Sequence, residues 1–256
     1  MDFKEFYHCA VDYLESVDGM SSSILKDYMY KKQNPSTLSE VCRQMCVHAA
    51  NRSMMRNVIG DVSNLSSTLY DFDPKRITKK FADSSEVLER LKGFVGLDIR
   101  TEKRSLWPAF ARSIYSISEF LSDFDSYESY HEFVISFTRS GRNESLFALP
   151  LILSQEIEGF GFALACDFCK ENVSPDFVKP DVHIRETLSY FGFVDQNASD
   201  YKIFKFLVHS AKEIGVLPYD VDKVLWLIGS GRLYLHGEKK LPTSRAKFYS
   251  HMSQYR

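Results

Sequence analysis

The sequence lacks any apolar run that approaches the roughly 20 residues needed to cross a bilayer, and this excludes a membrane-spanning role. Its five cysteines are odd in number and unevenly placed, so they do not indicate a disulfide framework. The first residues, MDFKEFYHCA, resemble neither a signal peptide nor a transit peptide. We therefore expect an intracellular protein without a membrane partner.

The sequence also lacks an excess of charge of either sign, because 32 basic residues against 34 acidic residues give a formal net charge of −2. No overall positive field indicates a nucleic-acid partner, so a polyanion would have to bind a local cluster or backbone amides. One basic cluster lies near the C-terminus and contains Arg232, Lys239, Lys240, Arg245, Lys247 and Arg256. A solvated surface explains this cluster as well as a binding site does.

Apolar residues are abundant, at 44% of the chain, and they recur three and four residues apart. This spacing is typical of one buried face of a helix, and the first segment shows it at Phe3, Phe6, Tyr7, Ala10 and Leu14. No credible pair of strands is present. The pattern predicts an all-α fold.

Local signals predict where some helices begin and end. The dipeptide Asp73-Pro74 has the residue types preferred at a helix N-cap and at the first helical position. A short helix over residues 87–92 is expected to stop at Gly93 and Gly96, because glycine commonly terminates helices.

The most informative stretch is Ile157-Glu-Gly-Phe-Gly-Phe-Ala-Leu-Ala165, which follows one apolar helix and opens a second. Glycine permits a tight reversal and a close approach of the backbone to a ligand, and the central phenylalanine is expected to anchor the turn in the core. Free amides at the start of the second helix can hold a phosphate without reading bases. A glycine turn without a ligand is the alternative. We predict that the DNA backbone binds at Gly159, Phe160, Gly161, Phe162 and Ala163.

An acidic residue, Asp181, follows twenty positions after the second glycine, in the segment Pro180-Asp-Val-His-Ile-Arg185. It stands directly before a helical pattern, so the plain interpretation is a helix N-cap. A capping role and a chemical role are compatible, so both interpretations stay open.

Together, the hairpin and this acidic motif resemble the paired signature of the helix-hairpin-helix DNA glycosylase superfamily. In that family the hairpin is followed at this spacing by an Asp-x-His motif, whose aspartate is the essential carboxylate. Gly161 and Asp181 stand at the corresponding positions.

The resemblance implies two helical lobes with a DNA-binding cleft between them and a damaged base flipped into a pocket. We assign residues 36–179 to the lobe that carries the hairpin, and residues 1–35 together with 180–256 to the other. The implied partner is double-stranded DNA containing a damaged base, bound by a monomer. Asp181 is expected to be catalytic: it would stabilise the oxocarbenium-like transition state and orient the attacking water.

The sequence departs from the family at three points. Bifunctional members attack the sugar with a lysine two residues after the second hairpin glycine, and here Ala163 predicts a monofunctional glycosylase without Schiff-base lyase activity. No cysteine follows Cys169, so the iron–sulfur cluster of many relatives is not expected, and a monovalent cation at the hairpin is the one candidate cofactor. Glu158 replaces the usual proline and brings a negative charge beside the predicted phosphate site.

Two further groups of residues were candidates for function. Asn51 and Arg52 follow a predicted helix near which relatives place a wedge residue, so they are candidate DNA contacts. Cys42, Cys46 and His48 do not share one helix face, so we predict buried thiols and no metal site.

The leading hypothesis is a hydrolase that removes a damaged base during base excision repair. The alternative is a non-catalytic helix-hairpin-helix DNA-binding protein, which Ala163, Glu158 and the near-neutral charge also fit. A helical protein–protein scaffold is a third hypothesis, and it predicts no salt-dependent binding of DNA.

Overall fold

The structure, a computed structural model, describes residues 1–31, 35–95, 102 and 105–255. Fourteen α-helices make up most of these residues, which confirms the predicted all-α fold. None of the described helices has both the length and the apolar character that crossing a membrane requires. The helices are α1 Phe3–Ser16, α2 Ser22–Tyr28, α3 Leu38–Ala50, α4 Arg56–Ile59, α5 Pro74–Lys80, α6 Ser84–Val95, α7 Leu106–Ser122, α8 Tyr127–Arg139, α9 Asn143–Glu156, α10 Phe162–Asn172, α11 Val182–Tyr190, α12 Asp200–Glu213, α13 Pro218–Ser230 and α14 Arg245–Met252.

The expectation that no strands pair was wrong at one place. The strands β1 (Arg232–Leu233) and β2 (Lys239–Lys240) pair antiparallel, with Arg232 opposite Lys240. Each strand has only two residues, so neither can show the alternating pattern by which strands are recognised in a sequence. Short 3₁₀ turns occupy Arg52–Met54, Val62–Leu65, Tyr70–Phe72, Tyr234–His236 and Ser253–Tyr255.

Of the two predicted helix signals, one is confirmed and one is wrong. The Asp73 side chain caps α5 by accepting a hydrogen bond from the Arg76 N–H at 3.1 Å, and Pro74 begins the helix. In contrast, α6 continues through Gly93, which does not adopt the left-handed conformation that ends many helices. Gly96 lies outside the described residues.

The chain forms two compact units, which we name by their content. The terminal unit consists of Met1–Lys32 and Ser174–Arg256, and the hairpin unit consists of Gln33–Val173. The core of the terminal unit surrounds α13, which packs against α1, α11, α12 and α14. The side chains that α13 buries include Val221, Val224, Leu227 and Ile228.

The core of the hairpin unit surrounds α7, which packs against α3, α5 and α6. One face of α7 is fully buried at helical spacing through Phe110, Ile114, Ile117 and Leu121. The helices α9 and α10 pack against each other, and α10 also packs against α3. The hairpin between α9 and α10 therefore belongs to this unit.

All five cysteines are free thiols, and four of them, Cys42, Cys46, Cys166 and Cys169, are buried, which confirms the predicted burial of Cys42 and Cys46. Burial raises the pKa of the Cys169 thiol well above its ordinary value. Within the described ranges, no group of three or more His, Cys, Asp or Glu side chains could hold a metal ion.

Candidate functional site

The hairpin that joins α9 to α10 turns at Gly159. This residue has a φ of 82°, in the left-handed region that favours glycine, whereas Gly161 is extended with a φ of −62°. Phe160, between them, is only 1% exposed, and its ring packs against Phe168 of α10 with the centroids 6.1 Å apart. The expected anchoring of the turn by this phenylalanine is confirmed.

No side chain of the described residues caps the N-terminus of α10. Gly161 is the N-cap residue, and its carbonyl accepts hydrogen bonds from the N–H groups of Leu164 and Ala165 at 2.9 and 3.0 Å. The Ala163 N–H has no acceptor in the part of the chain that the structure describes. A Cβ atom at Gly161 would meet no other atom of the described residues within 4 Å, so these residues leave the space beside the amides open. Such a helix end attracts an anion.

Arg52 lies against the hairpin turn. A methyl group at Gly159 would come within 2.9 Å of the Arg52 Nη1 atom and within 2.7 Å of the Ser113 Oγ atom. Arg52 is exposed, and so is Asn51, which is the C-cap residue of α3. Of the two candidate DNA contacts, the structure therefore places the guanidinium of Arg52 beside the glycine turn.

Asp181 is the N-cap residue of α11, as its position before a helical pattern predicted. Its Oδ1 atom accepts a hydrogen bond from the Ile184 N–H at 3.1 Å. Its Oδ2 atom has no hydrogen-bond partner among the residues that are described, and the side chain is partly exposed. One carboxylate oxygen is therefore used for capping while the other is available.

Two neighbours from distant parts of the chain surround the start of α11. The Arg245 Nη1 atom lies 3.4 Å from His183 Nδ1 and donates to the Val182 carbonyl at 3.3 Å. The His183 ring packs on Gly229 of α13 so closely that a methyl group there would lie 2.6 Å from the ring. Burial lowers the pKa of His183 and Arg245 lowers it further, whereas the Asp181 carboxylate raises it. The sequence did not identify Arg245 as a neighbour of His183.

A polar cavity of about 390 Å³ lies in the hairpin unit, between α3 and the end of α10. Its lining includes Arg43, Gln44, His48 and Glu171. The buried His48 Nδ1 atom lies 3.2 Å from the Asp167 Oδ2 atom. Among the described residues, the cavity lining contains no Phe, Tyr or Trp ring.

A solved structure shares the fold of this chain. It is the 8-oxoguanine glycosylase/lyase of Methanocaldococcus jannaschii, in complex with a 15mer DNA containing 8-oxoguanine. The superposition has a TM-score of 0.57, covers 90% of this chain and 99% of the other, and gives 16% sequence identity. At this identity the likeness establishes the fold alone. No protein-family model and no curated protein matches the sequence significantly.

The structure places the predicted site residues in two groups. The hairpin residues and Arg52 are together in the hairpin unit, and Asp181 belongs to the terminal unit. Their roles in DNA binding and catalysis stay predictions, as does a monovalent cation at the hairpin. Three residues of α7 that hold the hairpin, Arg112, Ser113 and Ser116, were missed. Their only signal in the sequence is polar character beside the buried stripe of α7, and this does not identify their partner.

Proposed function

We propose that this protein is a DNA glycosylase that removes a damaged base from double-stranded DNA and uses water as the nucleophile. One observation carries the proposal. A chain with the fold of an 8-oxoguanine glycosylase/lyase has an uncapped glycine hairpin and, twenty residues later, an aspartate with an available oxygen. The reaction class follows the structural neighbour, and the role of Asp181 follows the sequence resemblance.

The hairpin is proposed to bind a phosphate of one DNA strand. The uncapped end of α10 offers the Ala163 N–H and the positive end of the helix dipole. Arg52, beside Gly159, adds a formal positive charge. None of these groups is proposed to contact a base edge. Phosphate binding at the hairpin would therefore position the duplex, and recognition of the lesion would depend on other residues.

Asp181 is proposed to act on the sugar of the flipped nucleotide. When the N-glycosidic bond breaks, its electron pair leaves with the base, which takes up a proton, and positive charge develops on C1′ of the sugar. A fixed carboxylate stabilises that charge in the transition state. Water then adds to C1′ and gives up a proton, which leaves an abasic site.

Water is proposed as the nucleophile because Ala163 offers no amine. Its position in the first turn of α10 is where bifunctional relatives carry the attacking lysine. The protein should therefore form no covalent adduct with damaged DNA in the presence of borohydride, which traps Schiff bases. A trapped adduct would contradict this part of the proposal and would leave base excision intact.

The test of the glycosylase activity compares two aspartate variants. Duplexes that carry 8-oxoguanine, alkylated bases or uracil are incubated with the protein, and alkali then cleaves any abasic site. D181N should reduce base release by roughly 10²- to 10³-fold or more while DNA binding persists. D73N is the matched control, because Asp73 caps α5 with the same 3.1 Å geometry and has no proposed chemical role.

Each outcome of this test has a distinct meaning. Equal activity of D181N and the unmodified protein would overturn the role of Asp181. Salt-dependent binding to DNA without release of any base would instead favour the non-catalytic DNA-binding protein. The absence of both would overturn the whole proposal.

A further inference from the structure

Glu158, which replaces the usual proline of the hairpin, is held by α7 through three of its groups. Its N–H donates to the Ser116 Oγ atom at 2.9 Å, and its carbonyl accepts from the Ser113 Oγ atom at 2.8 Å. Its Oε1 atom accepts from the Arg112 Nε atom at 2.5 Å. Both backbone groups and the side chain of this one residue are therefore fixed to the same helix.

The backbone contacts explain how the hairpin tolerates a residue other than proline. Proline has a fixed φ and no N–H group, whereas Glu158 has a free φ and an N–H that needs an acceptor. Ser116 supplies that acceptor, and Ser113 holds the carbonyl on the other side of the residue. Because α7 is the buried central helix of its unit, the turn is fixed to a rigid support.

The side-chain contact with Arg112 neutralises the negative charge of Glu158. The Glu158 carboxylate is 58% exposed and directly precedes Gly159, so without a partner it would repel a phosphate at the hairpin. Arg112, itself 34% exposed, pairs with it and cancels its charge. An exposed pair of this kind contributes little to folding stability, so a stabilising role does not explain it.

We infer that Arg112 is a positioning residue that neutralises Glu158 and so allows the hairpin to accept a DNA phosphate. This inference rests on the proposed DNA-binding role of the hairpin. It distinguishes Arg112 from Arg52, whose guanidinium lies at the turn and is proposed to contact the phosphate directly.

A double-mutant cycle tests the inference on the full chain. Binding of an undamaged duplex is measured at several salt concentrations for R112M, E158Q and R112M/E158Q. R112M should weaken binding about 3- to 10-fold, because it leaves a carboxylate uncompensated beside the phosphate. E158Q should tighten binding, because it removes the negative charge that pairs with Arg112. If the released Arg112 reaches one phosphate, the slope of log K against log salt should steepen by about 0.9. The double variant should bind within about 2-fold of the unmodified protein.

Two controls separate this role from a structural one. R112K keeps the charge and should restore most of the affinity that R112M loses. The pair Lys92–Glu89 on α6 is a similar ion pair on the same unit, and the cycle K92M, E89Q and K92M/E89Q should not change DNA binding. Thermal unfolding should stay the same in all these variants.

The results separate this inference from the proposed function. If the unmodified protein binds no DNA, both fail. If it binds DNA and R112M binds equally well, or if R112M/E158Q binds as weakly as R112M, only the inference is overturned. A loss of affinity in R112M that E158Q reverses supports it.

Discussion

The turn before α10 and the turn before α11 begin their helices in opposite ways. At the first, Gly161 supplies no side chain, so the amides at the start of the helix stay open. At the second, Asp181 caps its own helix with one oxygen and leaves the other available. The first turn can therefore accept a negative charge, and the second presents one. The proposed glycosylase activity would use both properties, one to hold a phosphate and one to stabilise a sugar cation.

The largest effect is expected from a change that breaks the first turn itself. G159A should lower the free energy of unfolding by about 2–5 kcal/mol, the sum of left-handed strain and overpacking. The added methyl group would lie 2.7 Å from the Ser113 Oγ atom, which is held by its bond to the Glu158 carbonyl. Urea denaturation measures the loss. G161A is the control and should cost about 0.5 kcal/mol or less, because its methyl group enters open space; equal losses in the two variants would contradict this account.

A smaller effect is expected from making the first turn resemble the second. G161D places a capping carboxylate at the start of α10, so stability should rise by a few tenths of a kcal/mol. Affinity for duplex DNA should fall about tenfold, because the new charge would occupy the proposed phosphate site. G161N adds a cap of the same size without the charge, and it should bind more tightly than G161D. Unchanged DNA affinity in G161D would show that no phosphate binds at this helix end.

The smallest effect concerns pH and the second turn. Burial lowers the pKa of His183 in the folded protein, so the unfolded chain takes up the proton first as the pH falls below its ordinary value of about 6.5. The contribution of His183 to the free energy of unfolding should therefore be fully present above that pH and should decrease as the pH falls toward 5. The measurement is the free energy of unfolding of the unmodified protein and of H183Q between pH 5 and 8. Parallel curves for the two proteins would rule out a contribution from this histidine.

Several features were predictable because they depend on neighbouring residues only. Helical spacing identified the all-α fold, and the cap at Asp73 and the burial of Phe160 followed from residue types in a short segment. The two errors arose where the local signal is weak. The strands β1 and β2 are too short to show alternation, and Gly93 lies in the last turn of α6 without ending it.

The sequence by itself determined the helices, the glycine turn and the position of Asp181 at a helix start, because each follows from the conformational preferences of adjacent residues. Only the tertiary structure decided which side chains meet these features. Arg112 and Glu158 are 46 positions apart in the chain, and Arg245 and His183 are 62 positions apart. Such contacts depend on how whole helices pack, and a pattern read along the chain contains no information on which helix faces which.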